Sequence, residues 1–234
     1  MKSYDATQIR VSHECWATYA KSFDGLLPSP GLVERLPIDG VRIPGRGAED
    51  ISQNTTANLF SLHSAQNYFS PDMSVGPTEP NPVVTVFDAY NYQAYSPATG
   101  KAWDPNFKAD LQTGSNVSYA HMPLYGLLKD KYWRDTFSGS SAIPILGNRG
   151  PHNGVSDPKS WTLKIHEPHD QWSGNICFAD GHVEFLVGLP TAKTSDGRTI
   201  STQVIFKTDR PDDPDGVLTF MKEMKPDGPV IQHD

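Results

Sequence analysis

Ile9, Trp16, Ala20 and Phe23 recur at spacings close to the helical period, with His13 on the same stripe, and Tyr4 to Phe23 contains neither Gly nor Pro. This predicts an amphipathic helix over 4–23. Asp24-Gly25 ends it, glycine supplying a left-handed cap. Leu59, Leu62, Gln66 and Phe69 line one face of a second helix over 56–69, with Asn54 or Thr55 as N-cap and Ser70-Pro71 as its stop. Five prolines break the stretch 75–114 into a long aromatic loop, in which Val83 to Phe87 is a candidate strand. Strands are expected at 116–121, with alternating faces, and at 142–146. Asp180-Gly181 between the alternating runs Asn175–Ala179 and His182–Leu186 is a hairpin signal, because both turn residues tolerate positive φ. Late strands are expected at 199–207 and 217–221, with an acidic loop over 209–216 between them. The pattern predicts one α+β domain: an N-terminal helix packed on a late antiparallel β-sheet, with long ordered loops.

Composition narrows this picture. The 234 residues include 19 Gly, 20 Pro and 10% aromatics, which excludes global disorder and disfavours a helix bundle. The net charge of −7 repels phosphate backbones, so nucleic acid is not an expected partner. No apolar run approaches the ~20 residues of a membrane-spanning helix, and the sequence as given reads as soluble. Cys15 and Cys177 are too few for a disulfide framework, and spacing leaves their pairing open.

Common catalytic signatures are missing. There is no GxSxG elbow, no GxxxxGK[ST] phosphate loop and no CxxC pair. His13-Glu14 meets Ala17 where a metalloprotease helix needs its second histidine, and Gly45-Arg46-Gly47 lacks the third glycine of a dinucleotide fingerprint. One constellation remains: His166, His169, Asp170, Asp180, His182 and Glu184. A hairpin that folds Asp180 and His182 back toward His169 would offer imidazole and carboxylate ligands to zinc or iron. On the alternative reading, Asp180-Gly181 is only a turn, His182 and Glu184 are solvent-facing, and His169 is a loop residue. Asp212, Asp213 and Asp215 suit calcium by ligand type. However, an EF-hand register places Pro211 and Lys222 at its first and last ligand positions, so a non-EF loop or a solvated acidic turn remains. Trp103, Tyr92 and Tyr95 are candidates for a glycan-binding surface.

The run Gly174-Asn-Ile-Cys-Phe-Ala-Asp-Gly-His-Val-Glu-Phe185 resembles the C-terminal signature of the H-X9-DG, prepilin-type processing-associated proteins abundant in planctomycetes. The motif residues here are His169, Asp180 and Gly181, with His169 ten residues before Asp180. Trp16 to Pro28 resembles the end of a pilin-like helix entering its head. Asn58–Leu62 with Tyr68–Pro71, and Ser115–Ala120, resemble further family segments. The family's basic leader, cleavage site and apolar helix are not in the sequence as given, and Gly76-Pro77 stands where many relatives carry Cys-Pro.

The resemblance implies a non-enzymatic, pseudopilin-like structural subunit of a type II secretion or type IV pilus-like assembly. Residues 1–24 would be the C-terminal half of the pilin-like helix and 25–234 the globular head, with the hairpin at 175–186. The subunit would sit in the bacterial cell envelope, anchored in the inner membrane through a missing N-terminal segment, with its head periplasmic or extracellular. It would contact other pilin-like subunits through a helix face made of Ile9, Trp16, Ala20 and Phe23. Calcium in a C-terminal loop, as in major pseudopilins, would fall near Asp212–Asp215. The competing readings are a metal-dependent enzyme using His169, Asp180 and His182, and a surface glycan-binding module.

Overall fold

The structure, a computed structural model, describes residues 2–33, 37–38, 41–42, 47–96, 99–135, 141, 143–189, 191–193, 199–206 and 218–233. Three α-helices occur among them: α1 (Lys2–Ala20), α2 (Thr56–Ala65) and α3 (Gly126–Tyr132). The strands are β1 (Pro37–Ile38), β2 (Val41–Arg42), β3 (Ala109–Asp110), β4 (Gly114–Ser115), β5 (Tyr119–His121), β6 (Pro144–Asn148), β7 (Ser173–Phe178), β8 (Val183–Val187), β9 (Thr191–Lys193), β10 (Thr199–Val204), β11 (Phe220–Lys225) and β12 (Gly228–Gln232). β5, β6, β7 and β8 form one antiparallel sheet in that order, and the other strands pair as two-stranded ribbons. The α+β class and the helix-on-sheet arrangement match the expectation.

Helix α1 lies across β6, β7 and β8. Its stripe of Ile9, Trp16 and Ala20 is fully buried, and Trp16 packs against Phe60 and Trp133 with ring centroids 5.9 and 5.3 Å away. The helix ends at Ala20, one turn earlier than its pattern predicts. Asp24 and Gly25 both adopt positive φ (54° and 76°), and the Gly25 N–H closes back on the Ala20 carbonyl at 2.9 Å. Helix α2 starts where expected, with Thr55 Oγ1 accepting the Asn58 N–H at 3.2 Å. Asn54, the other cap candidate, instead accepts the Gly31 N–H and donates to the Leu124 carbonyl, tying two loops together. α2 stops at Ala65 rather than Phe69 because Asn67 turns left-handed (φ 59°) and the Tyr68 N–H caps the His63 carbonyl at 3.0 Å.

Three strand expectations change in detail. The segment 83–87 forms only a parallel bridge at Val84 and Ser115. The strand expected at 116–121 narrows to Tyr119–His121, and all three residues are buried because both faces of the sheet are covered. The strand expected at 217–221 is realised as β11, which turns at Pro226-Asp227-Gly228 and pairs with a further strand, β12. Both cysteines are free: the Cys15 thiol donates to the Tyr68 carbonyl, and burial pushes the Cys177 thiol up to about 12.

Two core histidines shape the response to acid. Burial holds His63 and His121 down at about 4, although each donates Nδ1–H to a carbonyl, Leu59 and Met122 respectively. His121 Nε2 is satisfied by Thr56 Oγ1 at 2.8 Å, whereas His63 Nε2 has no partner among the described residues. The unfolded rings titrate near 6.5 and the folded rings near 4, so the unfolded state binds more protons throughout that window. Stability is therefore complete above pH 6.5 and falls as the pH drops, with a slope of up to about 1.4 kcal/mol per pH unit for each ring. In urea titrations across that window, His63→Phe, which keeps the aromatic stack on Phe69, should remove one ring's share of the slope. An unchanged slope would assign the acid sensitivity elsewhere.

Candidate functional site

The DG hairpin forms, but its loop is a three-residue turn over Ala179, Asp180 and Gly181. The Phe178 N–H donates to the His182 carbonyl and the Gly181 N–H to the Phe178 carbonyl. Only Gly181 needs positive φ (85°), so the turn is of the bulged type rather than the two-residue type expected. A Cβ on Gly181 would come within 3.4 Å of His13 Nδ1, which places the turn against the side of α1. Burial lowers the His13 pKa, opposed by the nearby charges of Asp135, Asp180 and Glu14.

The structure does not bring the predicted metal ligands together. Asp180 Oδ1 accepts the His182 backbone N–H at 3.1 Å and bonds its Nδ1. Burial works to raise the Asp180 carboxyl, but these bonds outweigh it and hold the group below the usual carboxylate range. His182 stacks on Phe178 at 4.5 Å, and its Nε2 lies 3.5 Å from Glu184. His169 is exposed and lines a separate groove with His166. Among the described residues no three His, Cys, Asp or Glu side chains converge as a metal set. The physical reason is that Asp180 and His182 satisfy each other within the turn, while His169 belongs to another surface. Asp212, Asp213 and Asp215 lie outside the described residues.

The expected assembly face also needs correction. Ile9, Trp16 and Ala20 are consumed by the chain's own core, and Phe23 is half-buried, stacked on Tyr19 at 4.1 Å. The face that α1 leaves to solvent is mainly polar, with Ser3, Thr7, Arg10, Glu14 and Thr18, and carries one exposed aromatic ring, Tyr4, in its first turn. Of the three glycan candidates, Trp103 lines an open cleft of about 740 Å³ edged by Asp50, Gln53, Asn91, Gln93, Lys101 and Asn106. Tyr92 packs edge-on against Tyr90 and Tyr95 is half-buried, both outside the lining.

The site that the sequence reading missed sits beneath the first turn of α1. Asp5 is completely buried. Its Oδ1 accepts from Tyr119 Oη at 3.0 Å and from Asn148 Nδ2 at 3.4 Å. Its Oδ2 accepts from Asn175 Nδ2 at 2.6 Å and faces His166 Nε2 at 3.3 Å. Tyr119, Asn148 and Asn175 come from β5, β6 and β7. Tyr119 pairs with Asn148 across the first two strands, and the Asn175 N–H donates to Asn148 Oδ1 at 2.7 Å. One polar row thus runs across the sheet and ends on a single carboxylate. Gly76 closes against it: a Cβ there would lie 3.1 Å from Asp5 Oδ1 and 3.2 Å from the Tyr119 hydroxyl. The available signal was Asp5 itself, a carboxylate one turn before Ile9 on the apolar stripe.

A buried carboxylate costs several kcal/mol unless donors replace its water. Asp5→Asn points an amide N–H at groups that already donate, and should lower unfolding stability by about 3 kcal/mol. Tyr119→Phe removes one donor of several and should cost about 1 kcal/mol. Chemical denaturation of both variants measures the difference, and equal small losses would mean that Asp5 is not the anchor. No protein-family model, curated protein or solved structure matches this chain.

Proposed function

We propose that this chain is the head of a non-enzymatic, pseudopilin-like structural subunit of a type II secretion or type IV pilus-like assembly in the bacterial cell envelope. The observation that carries the reading is the placement of α1. An N-terminal helix lies along an antiparallel sheet whose last hairpin bears the Asp180-Gly181 signature, and the turn abuts the helix at His13. In such an assembly, neighbouring subunits would meet the polar stripe of α1 (Thr7, Arg10, Glu14, Thr18) rather than its apolar stripe. Among the described residues no helix is long and apolar enough to cross a membrane. On this reading, the anchor is a segment N-terminal to residue 2.

The test is the intact mass and N-terminus of the protein isolated from its own cells, with membrane and soluble fractions kept apart. The reading expects a membrane-bound species several kilodaltons heavier than 25.8 kDa, beginning with an N-methylated apolar residue. A soluble species beginning at Met1 would remove it.

A second reading, a glycan-binding module, draws support from the cleft beside Trp103. An indole with amide, carboxylate and lysine groups around an open space suits sugar hydroxyls. Titration against a polysaccharide panel should show saturable binding lost in Trp103→Ala. Flat titrations would discard it.

A further inference from the structure

Beside the N-terminus of α1 is an open groove of about 430 Å³, lined by Lys2, Thr78, Lys164, Ile165, His166, Glu167 and His169. Three features of its wall are unspent. The Thr78 hydroxyl oxygen is buried with no hydrogen-bond partner among the described residues. His166, only 4% exposed, commits Nε2 to Asp5, while its Nδ1 makes no bond to any described residue. Lys2 and Lys164 reach the groove already positioned, their ammonium groups 4.2 Å above the Phe185 ring and 4.3 Å above the Trp161 ring. Lys2 also donates to the Glu167 carbonyl at 3.3 Å.

We propose that this groove binds the phosphate group of a small phosphorylated molecule. An orphaned buried hydroxyl is unfavourable, and an acceptor oxygen in the groove would relieve it. Two ammonium groups favour a negative charge there, against the buried Asp5 carboxylate on the far side of the His166 ring and on a protein whose net charge is −7. With Asp5 holding Nε2–H, His166 Nδ1 is left to accept a hydrogen bond. A hydrogen phosphate suits this edge of the ring. It carries an O–H for Nδ1 and further oxygens for Thr78, Lys2 and Lys164, whereas sulfate has no proton to offer and acetate too few oxygens. The groove is larger than the anion, which leaves room for an organic group on the phosphate. The Glu167 side chain at its edge disfavours a second negative charge, so the reading is of a single phosphate. Phosphate binding in this groove does not depend on the role of the chain in an assembly.

The experiment is titration of the full chain with inorganic phosphate at constant ionic strength, read by amide chemical shifts, with sulfate and acetate as parallel arms. The expected result is saturable one-site binding, with shifts confined to residues around 78 and 164–169, and weaker binding of sulfate and acetate. Thr78→Val, which removes only the orphaned hydroxyl, should weaken phosphate about tenfold with no loss of stability. Lys164→Ala should weaken it by a similar factor. Neither residue bonds to Asp5, so both variants should fold even where His166→Gln does not. Non-saturating shifts, equal response to all three anions, or phosphate binding unchanged in Thr78→Val and Lys164→Ala would overturn the proposal.

Discussion

A single buried carboxylate organises this protein. Asp5 has no contact with solvent and answers to four donors, three of them from successive strands of the main sheet. A charge in such a place is tolerated only where its hydration is replaced bond for bond. That requirement fixes the rotation and depth of α1 on the sheet more tightly than the apolar stripe alone. Ile9 and Trp16 would accept small slides along a greasy surface, but a carboxylate bonded to Tyr119, Asn148 and Asn175 would not. It also demands that β5, β6 and β7 hold their register, because a one-residue slip turns every side chain of a strand to the other face.

The consequences spread outward from that anchor. His166 is drawn in from the connection between β6 and β7, and its committed Nε2 leaves Nδ1 as the free edge of the ring. Gly76 brings its backbone against the carboxylate where a larger residue would press on it, and its N–H is taken by Ser118 Oγ at 2.6 Å. The next residue pair along the sheet carries a second buried charge. Arg149 donates to the Ser118 carbonyl at 3.0 Å and pairs with Glu79 at 2.6 Å. Polar groups beneath α1 therefore form connected sets, while the apolar core lies around Trp16, Phe60 and Trp133. Buried polar networks of this kind select one arrangement from the many that burial alone would accept.

The helix consequently faces two ways for two reasons. Its buried side is occupied by the chain's own sheet, so under the proposed function only its exposed stripe is open to a neighbouring subunit. The hairpin that carries the family resemblance does structural work in the same place: its turn abuts α1 at His13, and Asp180 and His182 are bonded to one another. The packing gives this hairpin a fold-forming part.

What the sequence determined by itself was local. The start of α2 at Asn54 or Thr55, the Gly25 cap, the hairpin at Asp180-Gly181 and the apolar stripe of α1 were legible because neighbouring residues decide them: turn chemistry, glycine's left-handed freedom and the 3.6-residue period. Boundaries slipped where a left-handed Asn67 ended α2 short of Phe69 and where α1 gave way to turns after Ala20. The polar site was not legible. Asp5 and His166 are 161 positions apart, and no periodicity relates a helix's first turn to a loop after a distant strand. His169 and Asp180 looked like partners because they are close in sequence, yet the turn closes Asp180 onto His182 instead. Only tertiary structure decided which polar side chains share a site. Burial forces each buried donor and acceptor to find a partner wherever the packed chain supplies one, and that choice is made between elements rather than within them.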